Sequence, residues 1–390
     1  MSSASNFIYP KNGVPSTKSK INSAPNPDVQ NSRVKINEAV VKSMDNLTSD
    51  TFKLVIKCND NALPFNSHAG QYATLKVDGL EKPRAYSFAK SPKSENKNEY
   101  TFFIRQVPGG EFSQWLDKNR TGEKIIISAP LGYFKLDDSN DDMICIAGGS
   151  GMSAVNAIVE EAIHQKVKRN CYFFYGARTQ KDLYLIDELK NISTKCDKDF
   201  MFEFVPVLSE EPDDSDWNGA RGFVTDYFKE EYLDKGIVSA DSCKAFFCGP
   251  PPMIDAGAKV LKQAGVSENS MFFDKFEDAR SPAPIIDNSK CVLCDECLLV
   301  KPTAGCIVET AKLGKLKDNG KYSEIERIDP AYTSGLYYNT LYINEDECIR
   351  CYACVHACPA KAISPQYELE PKTLGNIIAS APSKSSFKLE

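Results

Sequence analysis

The chain has 390 residues, of which 42% are hydrophobic, and it carries a formal net charge of −6 with a pI near 5.4. This length predicts two or three domains with ordinary apolar cores. The mild acidity argues against nucleic acid as a partner. No window approaches the roughly 20 continuous apolar residues that a membrane-spanning helix needs, so we expect no membrane span and a cytoplasmic location.

Residues 1–32 are rich in Ser, Asn, Pro and Lys and contain no apolar block. A segment of this composition cannot bury enough surface to order itself, which predicts a disordered arm. The alternative is a transit peptide, because the arm is rich in Ser and poor in acidic residues, but it lacks both Arg and an amphipathic period. The polar residues 367–390 predict a flexible tail.

Residues 33–137 consist of short alternating or β-branched runs separated by turn-rich breaks, a pattern typical of an antiparallel β-barrel or sandwich. The segment Arg84-Ala-Tyr86-Ser87 follows one predicted strand and offers a cation for phosphate, an aromatic face and a hydroxyl. The segment Gly109-Gly110-Glu-Phe112-Ser113 opens a predicted short helix, where free backbone N–H groups suit an anion. Together the two segments suit a flavin with a diphosphate tail, which favours FAD over FMN.

Residues 138–280 alternate strands with helices, the pattern of an α/β domain with a parallel sheet. The buried run 143–147 leads into Gly148-Gly149-Ser150-Gly151 and then a helix, so the backbone of this turn can approach a pyrophosphate. A later strand ends in Cys248-Gly249-Pro250. The run 271–276 is predicted to be the final strand, with aromatic side chains mostly in the core.

These segments together resemble the ferredoxin–NADP reductase superfamily, including its oxygenase reductases. The resemblance implies that the barrel binds FAD and the α/β domain binds NAD(P). It also implies that Arg84 and Ser113 hold phosphate, that Tyr86 packs on the isoalloxazine, and that Ser87 hydrogen-bonds near its N5. Cys248 would lie where nicotinamide meets flavin. The implied catalytic residues are Ser87 and Cys248, and the implied cofactor-binding set is Arg84, Tyr86, Ser87, Gly109, Gly110, Phe112, Ser113, Gly148, Gly149, Ser150, Gly151, Arg178, Cys248, Gly249 and Pro250. The chain departs from the family at Ser153 or Ala154, where a proline is usual.

The choice between NADH and NADPH depends on the residues after the second strand of the α/β domain. Arg178, Lys181 and Tyr184 are the candidates. Arg178 could pair with a 2′-phosphate, or it could be a solvated loop charge. We favour NADH.

Eight of the fourteen cysteines fall into two runs near the end of the chain. The run Cys348-x2-Cys351-x2-Cys354-x3-Cys358-Pro has the bacterial ferredoxin spacing, in which three thiolates hold one [4Fe-4S] cluster and the fourth serves a neighbouring cluster. The upstream run supplies that neighbour, with metal ligands Cys291, Cys294, Cys297 and Cys306. A pair of zinc sites is the alternative. His356 is expected to lie on the surface rather than to bind metal, and the scattered cysteines other than Cys248 are expected to be packing thiols.

Residues 285–366 therefore resemble a small α+β ferredoxin with two [4Fe-4S] clusters. Two features depart from that pattern: Ile307 stands where a proline would follow Cys306, and a polar insert at 309–344 separates the runs. Lys317-Asp-Asn-Gly320-Lys in the insert predicts a hairpin turn.

The multidomain arrangement predicts an NAD(P)H-dependent reductase that passes electrons through FAD and two clusters to a redox partner protein, such as an oxygenase, desaturase or ferredoxin. A flavin is needed because nicotinamide gives two electrons at once whereas a cluster takes one. One alternative is the reverse reaction, in which a ferredoxin-type donor reduces NAD(P)+. Another is that the cysteine-rich part is a metal-stabilised docking module without a redox role.

Overall fold

The computed structural model describes residues 34–193, 201–274, 282–303, 305–316, 322–328, 340–366, 369, 373–374 and 377. The predicted arm and almost all of the predicted tail lie outside these residues, as do Cys196, Phe276 and the predicted turn at 317–321. Within the described part of the chain, no helix combines the length and the apolar character needed to cross a bilayer.

The first domain is a nearly closed antiparallel barrel whose strands follow the order β4-β3-β6-β1-β2-β5. Buried and exposed side chains alternate along β1, where Ala39 and Val41 face the core and Glu38 and Val40 do not. The segment at 84–87, expected to follow a strand, is itself a strand paired with β3. The elements are β1 (Lys35–Asn46), β2 (Thr51–Cys58), β3 (Tyr72–Lys76), β4 (Arg84–Ser87), β5 (Glu99–Arg105), α1 (Glu111–Trp115) and β6 (Lys124–Leu131).

The second domain is a parallel sheet with the order β10-β9-β8-β7-β11-β12. Consecutive apolar residues alternate between its two faces: Cys145, Phe173 and Phe246 pack under α2, whereas Ile144 and Phe247 pack under α4 and α5. Both faces are thus covered, which explains the continuous apolar runs of these strands. The elements are β7 (Asp142–Gly148), α2 (Met152–Gln165), β8 (Cys171–Ala177), α3 (Ile186–Ser193), β9 (Phe202–Leu208), β10 (Ala220–Arg221), α4 (Val224–Phe228), β11 (Cys243–Cys248), α5 (Pro251–Gln263) and β12 (Met271–Asp274).

Polar contacts join the barrel to this second domain. The Asn156 amide on α2 donates to the carbonyl of Ala89 at 2.8 Å. Arg169, just before β8, donates to the Asp137 carboxylate at 2.7 Å. These contacts fix the parallel sheet and α2 against the barrel.

The third, ferredoxin region, residues 282–366, is small and irregular. In it β13 (Ile285–Ile286) pairs with β17 (Ile363–Ser364), and β14 (Ile307–Leu316) pairs with both β15 (Tyr322–Ile328) and β16 (Thr340–Ile343). The antiparallel β14–β15 pair flanks the predicted hairpin turn. Two short helices, α6 (Glu296–Leu299) and α7 (Ala353–Ala357), carry the cysteine runs. The architecture confirms the predicted fold class of barrel, parallel sheet and ferredoxin region.

Candidate functional site

Two turns at the carboxyl edge of the parallel sheet lie against each other. Residues 148–151 begin at the last residue of β7, and residues 248–250 begin at the last residue of its neighbour β11. A side chain at Gly151 would collide with the backbone of Cys248, and a Cβ at Gly249 would stand 2.5 Å from Cε of Met253. The close packing of the turns therefore requires glycine, and the same lack of side chains lets a pyrophosphate approach the backbone.

A cavity of about 230 Å³ opens beside these turns. On its barrel side lie Asp50 and Arg105, whose carboxylate and guanidinium groups are 2.8 Å apart. Ligands of open α/β sheets bind in the crevice outside the carboxyl ends of the strands, where the strand order reverses, and here the order reverses at β7. The cavity is thus the candidate nucleotide site, and its other lining residues include Gly148, Gly149, Tyr175, Gly176, Arg178, Asp182, Tyr184, Val207, Phe223 and Pro250.

Tyr184 is hydrogen-bonded to the glycine turn at 148–151. Its hydroxyl donates to the carbonyl of Gly149 at 2.9 Å, and its ring meets those of Tyr175 and Phe103 edge-on. Burial raises the pKa of Tyr184 well above its ordinary value. The structure therefore places this residue, a candidate for cofactor discrimination, in a position that shapes the turn.

Arg178 lies at the mouth of the cavity beside acidic groups. Its guanidinium is 3.4 Å from the Asp182 carboxylate. Beyond the cavity lining, the Gln180 side chain donates to Glu211 and to Asp216, each at 2.9 Å. The segment 210–216 reads Glu-Glu-Pro-Asp-Asp-Ser-Asp. The two cations that line the cavity are thus each paired with a carboxylate, Arg178 with Asp182 and Arg105 with Asp50.

The two predicted flavin segments meet at the edge of the barrel. Arg84 on β4 donates to the Glu111 carboxylate of α1 at 2.7 Å. The Tyr86 ring packs on that of Phe112 with centroids 5.0 Å apart, and Phe112 is buried in the barrel core. The Ser113 hydroxyl accepts a hydrogen bond from the Val107 N–H at 2.7 Å.

The glycine turn that opens the second segment leaves room for a ligand. Gly109 has a φ of +75°, and no atom lies within 4 Å of the position a Cβ would take there. Ser87, at the end of β4, is buried. The segments thus combine a cation, an aromatic ring, a hydroxyl and an open glycine turn, and this donor set fits a flavin with a phosphate tail.

Cys248 adjoins a buried carboxyl group that sequence reasoning missed. Its thiol donates to the backbone carbonyl of Asp274 at 3.6 Å, and burial, with the nearby Asp274, raises the pKa of Cys248. Asp274 ends β12, and burial raises the pKa of its carboxyl to about 7. Its Oδ2 has no hydrogen-bond partner among the described residues. In the sequence, the only indication of this buried carboxyl group is that Asp274 is a single acidic residue at the end of an apolar strand.

The ferredoxin region contains two cavities, and four cysteines line each of them. Cys291, Cys294, Cys297 and Cys358 line the first. Cys306, Cys348, Cys351 and Cys354 line the second. Each run thus contributes three cysteines to one cavity and the fourth to the other, which is the crossed arrangement that the spacing predicts. Cys306 takes its place although Ile307 follows it.

The same backbone conformation recurs in the two cysteine runs. Leu293 and Asp295 flank Cys294 with φ of +53° and +64°, and Arg350 and Tyr352 flank Cys351 with φ of +57° in each case. Such left-handed residues are uncommon outside glycine and curl the chain tightly. Each run therefore wraps its thiols around a cavity.

The pKa values of the clustered thiols are raised, so metal binding must displace their protons. Burial, together with the neighbouring Cys294, Cys291 and Cys358 thiols, raises the pKa of Cys297 to about 12. Burial likewise raises the pKa of Cys351 to about 11. A bound cation is what would hold such clustered thiols as thiolates.

Four ligands spread around a cavity are the arrangement that a four-iron cluster needs, because each iron takes one cysteine. The two four-cysteine donor sets fit such a cluster. His356 is exposed, with its ring centroid 6.2 Å from that of Tyr133. Among the scattered cysteines that the structure describes, Cys58, Cys145, Cys171, Cys243 and Cys248 are all buried.

The barrel and the parallel sheet with its glycine turn define a two-module flavin and nicotinamide oxidoreductase. Residues 38–136 match the oxidoreductase FAD-binding domain, residues 145–259 match the oxidoreductase NAD-binding domain, and residues 341–364 match the 4Fe-4S binding domain.

Named relatives agree with these matches. The chain is 36% identical over 239 residues to the xylene/toluene monooxygenase electron transfer component XylA of Pseudomonas putida, covering 61% of this chain and 65% of the relative. It is 33% identical over 259 residues to the phenol 2-monooxygenase reductase component DmpP of Pseudomonas sp. (strain CF600), covering 66% and 70%. The crystal structure of Amycolatopsis cytochrome P450 reductase GcoB aligns with a TM-score of 0.56 and 29% identity over 62% of this chain and 70% of that one.

The chain belongs to the ferredoxin reductase family of FAD- and NAD-binding oxidoreductases, and it carries a 4Fe-4S binding domain after the nucleotide domain. The matched part spans about two thirds of the length of these curated relatives.

Proposed function

We propose that this chain is an NADH-dependent reductase that delivers electrons through FAD and two [4Fe-4S] clusters to a one-electron acceptor protein such as an oxygenase. The observation that carries the proposal is the pair of crossed four-cysteine cavities next to a flavin and nicotinamide module. A flavin module alone could serve many two-electron reactions. Two one-electron carriers beside it are useful only for electron delivery to, or from, a one-electron partner.

The residues proposed to hold FAD lie on β4 and at the turn before α1. Arg84 and Ser113 would bind phosphate, Tyr86 would pack on the flavin ring, and Ser87 would donate near N5. When bound, the flavin accepts a hydride and releases single electrons. Ser87 is buried and close to Tyr86, so it can orient the ring without competition from bulk water.

The pyrophosphate of NADH would lie against residues 148–151, with the nicotinamide toward residues 248–250. The preference for NADH rests on the charge at the mouth of the cavity. Asp182 already pairs with Arg178, and Glu211 and Asp216 stand nearby around Gln180. A 2′-phosphate would have to compete with the Asp182 carboxylate for Arg178, and like charges at close range repel.

The proposed acceptor follows from the names of the relatives. XylA is an electron transfer component of xylene/toluene monooxygenase, and DmpP is the reductase component of phenol 2-monooxygenase. An oxygenase is therefore the first class of acceptor to test for this chain.

The proposal is tested by anaerobic titration of the purified protein with NADH and, in parallel, with NADPH, following the flavin band and the broad iron–sulfur absorbance together. Two electrons on FAD and one on each cluster require two equivalents of NADH per chain. We expect NADH to bleach both absorbances at that stoichiometry. We expect NADPH to react with a kcat/KM at least about tenfold lower, equivalent to about 1.4 kcal/mol.

Iron analysis separates the remaining alternatives. The proposal requires eight iron atoms per chain, and Cys306→Ala should reduce that number, whereas the packing variant Cys243→Ala should not. A colourless zinc protein after flavin removal would support the docking-module alternative. Flavin reduction without any loss of cluster absorbance would favour the reverse, ferredoxin-to-NAD+ direction.

A further inference from the structure

One of the two four-cysteine cavities lies against the flavin barrel. Buried side chains of the barrel, Tyr72 and Leu131, pack with Val300 and Ala353 of the ferredoxin region in one apolar group. Further members of this group, all partly buried, are Val34, Ala85, Tyr133, Cys351 and Ala357. We call Cys306, Cys348, Cys351 and Cys354 the inner cysteine set, because Cys351 belongs to this contact.

Tyr72 makes the most direct link between the two regions. Its hydroxyl donates to the backbone carbonyl of Cys351 at 3.2 Å. On β3 it pairs with Ser87 of β4, which is the residue proposed to face flavin N5. A short packed path therefore leads from the flavin strand through Tyr72 to the inner cysteine set.

The same tyrosine also adjoins the end of the nucleotide domain. Its ring lies over Gly132, where a Cβ would stand 2.7 Å from ring atoms of Tyr72 and 3.5 Å from the Asp274 carboxylate. Asp274 in turn accepts the hydrogen bond of the Cys248 thiol through its backbone carbonyl. Tyr72 thus contacts β4 and the inner cysteine set directly, and it lies near Asp274, which binds the Cys248 thiol.

The other cavity faces outward. We call Cys291, Cys294, Cys297 and Cys358 the outer cysteine set. Cys294 is exposed, and so are two apolar residues of the same run, Val292 at 56% and Leu299 at 47%.

From this asymmetry, and resting on the proposed function, we infer that the inner cysteine set holds the cluster that exchanges electrons with the flavin and the outer cysteine set holds the cluster that exchanges electrons with the acceptor protein. Tyr72 is the positioning residue that fixes the inner set against the barrel. Electron tunnelling rates fall steeply with distance, so the cluster packed against the barrel is favoured as the flavin's partner. The overall change is NADH plus two oxidised acceptors giving NAD+, one proton and two singly reduced acceptors.

The first test uses the native holoprotein and needs no variant. Clusters are removed gradually with ferricyanide and a chelator, and the thiols freed at each stage are alkylated and identified by mass spectrometry. We expect the outer cysteine set to be labelled well before the inner cysteine set, because solvent reaches Cys294. Simultaneous labelling of both sets, or earlier labelling of the inner set, would overturn the inference.

The second test compares the ligand variants Cys294→Ala and Cys351→Ala by stopped-flow mixing with NADH. With Cys294→Ala, the remaining cluster should still be reduced after the flavin at close to the wild-type rate. With Cys351→Ala, the flavin should be reduced while the remaining cluster stays oxidised. The opposite pattern would reverse the order of the clusters. Dithionite, added separately, reports whether a variant still contains a reducible cluster. A failure of NADH to reduce the flavin in the wild-type protein would instead count against the proposed function.

Tyr72→Phe keeps the test decisive even where the cysteine variants do not fold. This variant retains the ring and removes the hydrogen bond to Cys351. We expect unchanged flavin reduction and a slower subsequent reduction of the clusters, with the wild-type iron content. Tyr100→Phe, whose ring packs with Phe65 and Phe88 in the barrel, is the matched control. Equal cluster reduction rates in the two variants would remove Tyr72 from this role.

Discussion

The reductase half, residues 34–274, and the ferredoxin region are stabilised in different ways. The reductase half has a barrel core and two apolar layers on either side of its parallel sheet. Among the described residues of the ferredoxin region the buried core is small, and two of the proposed metal ligands, Cys297 and Cys306, belong to it. Its other buried members are Ile286, Ile307, Leu341 and Ile363.

The difference follows from the amount of apolar surface available. Burial of apolar surface contributes roughly 25 cal/mol per Å², so a large core can offset the entropy of chain ordering and a small one cannot. Small domains of this kind rely on a metal centre for stability. The reductase half should therefore be stable on its own packing, whereas the ferredoxin region should depend on its clusters.

The largest effect that this comparison predicts is the response to iron removal. Chelation of the holoprotein under reducing conditions should lower hydrogen-exchange protection across residues 285–303 and 341–364 by roughly hundredfold or more. Protection across β7 and β8 should remain, because those strands rely on apolar packing. Hydrogen exchange with mass spectrometry of treated and untreated protein measures both regions at once. Equal loss in the two regions would contradict the comparison.

A substitution at Arg169 should lower the unfolding free energy of the reductase half, while the ferredoxin region keeps its clusters. The Arg169 side chain is 0% exposed and pairs with Asp137 at 2.7 Å. Burial alone would raise the pKa of Asp137, but hydrogen bonds from Ser139 and Arg169 hold it below its ordinary value. Removing one partner of such a buried pair leaves an uncompensated charge, so Arg169→Ala should cost about 3–5 kcal/mol of unfolding free energy.

Denaturant unfolding of the holoprotein measures this loss. The control is Lys229→Ala, which breaks the half-exposed ion pair with Asp234 and should cost far less, because solvent screens exposed charges. Similar losses in the two variants would show that the burial of Arg169 is energetically unimportant.

A smaller, pH-dependent effect is expected at Asp274, a buried carboxyl group of the reductase half. Burial raises the pKa of its carboxyl from 3.8 to about 7. Between these values the folded chain binds more protons than the unfolded chain, so stability falls as the pH rises from about 4 to 7 and then levels off. Asp274→Asn removes this penalty and should stabilise the protein by about 2–4 kcal/mol at pH 8.

At pH 3 or below, Asp274→Asn and the wild type should have nearly equal stability, because the carboxyl is then mostly neutral in both folded and unfolded chains. Denaturant unfolding at a series of pH values between 3 and 8 gives the difference directly. A difference that does not grow with pH would show that Asp274 is not the group responsible.

Much of this molecule was predictable because its signals are local. Strand and helix periods, the glycine turn after β7 and the cysteine spacing each depend on residues close in sequence, and a backbone conformation or a ligand set follows from them directly. Residues 84–87 follow a strand, β3, as predicted, but the sequence did not show that they form a strand themselves. Four residues with little apolar alternation carry a weak strand signal, and β3 supplies the pairing partner.

The amino-acid sequence by itself determined the order of the domains, the cysteine spacing and the segments available to bind flavin and nucleotide. Only the tertiary structure decided that Arg178 pairs with Asp182, that Asp274 is buried beside Cys248, and that the ferredoxin region presents Cys351 to Tyr72. Tyr72 and Cys351 are 279 positions apart. A contact at that separation leaves no periodic trace in the sequence, because it depends on how whole domains pack and not on the preferences of neighbouring residues.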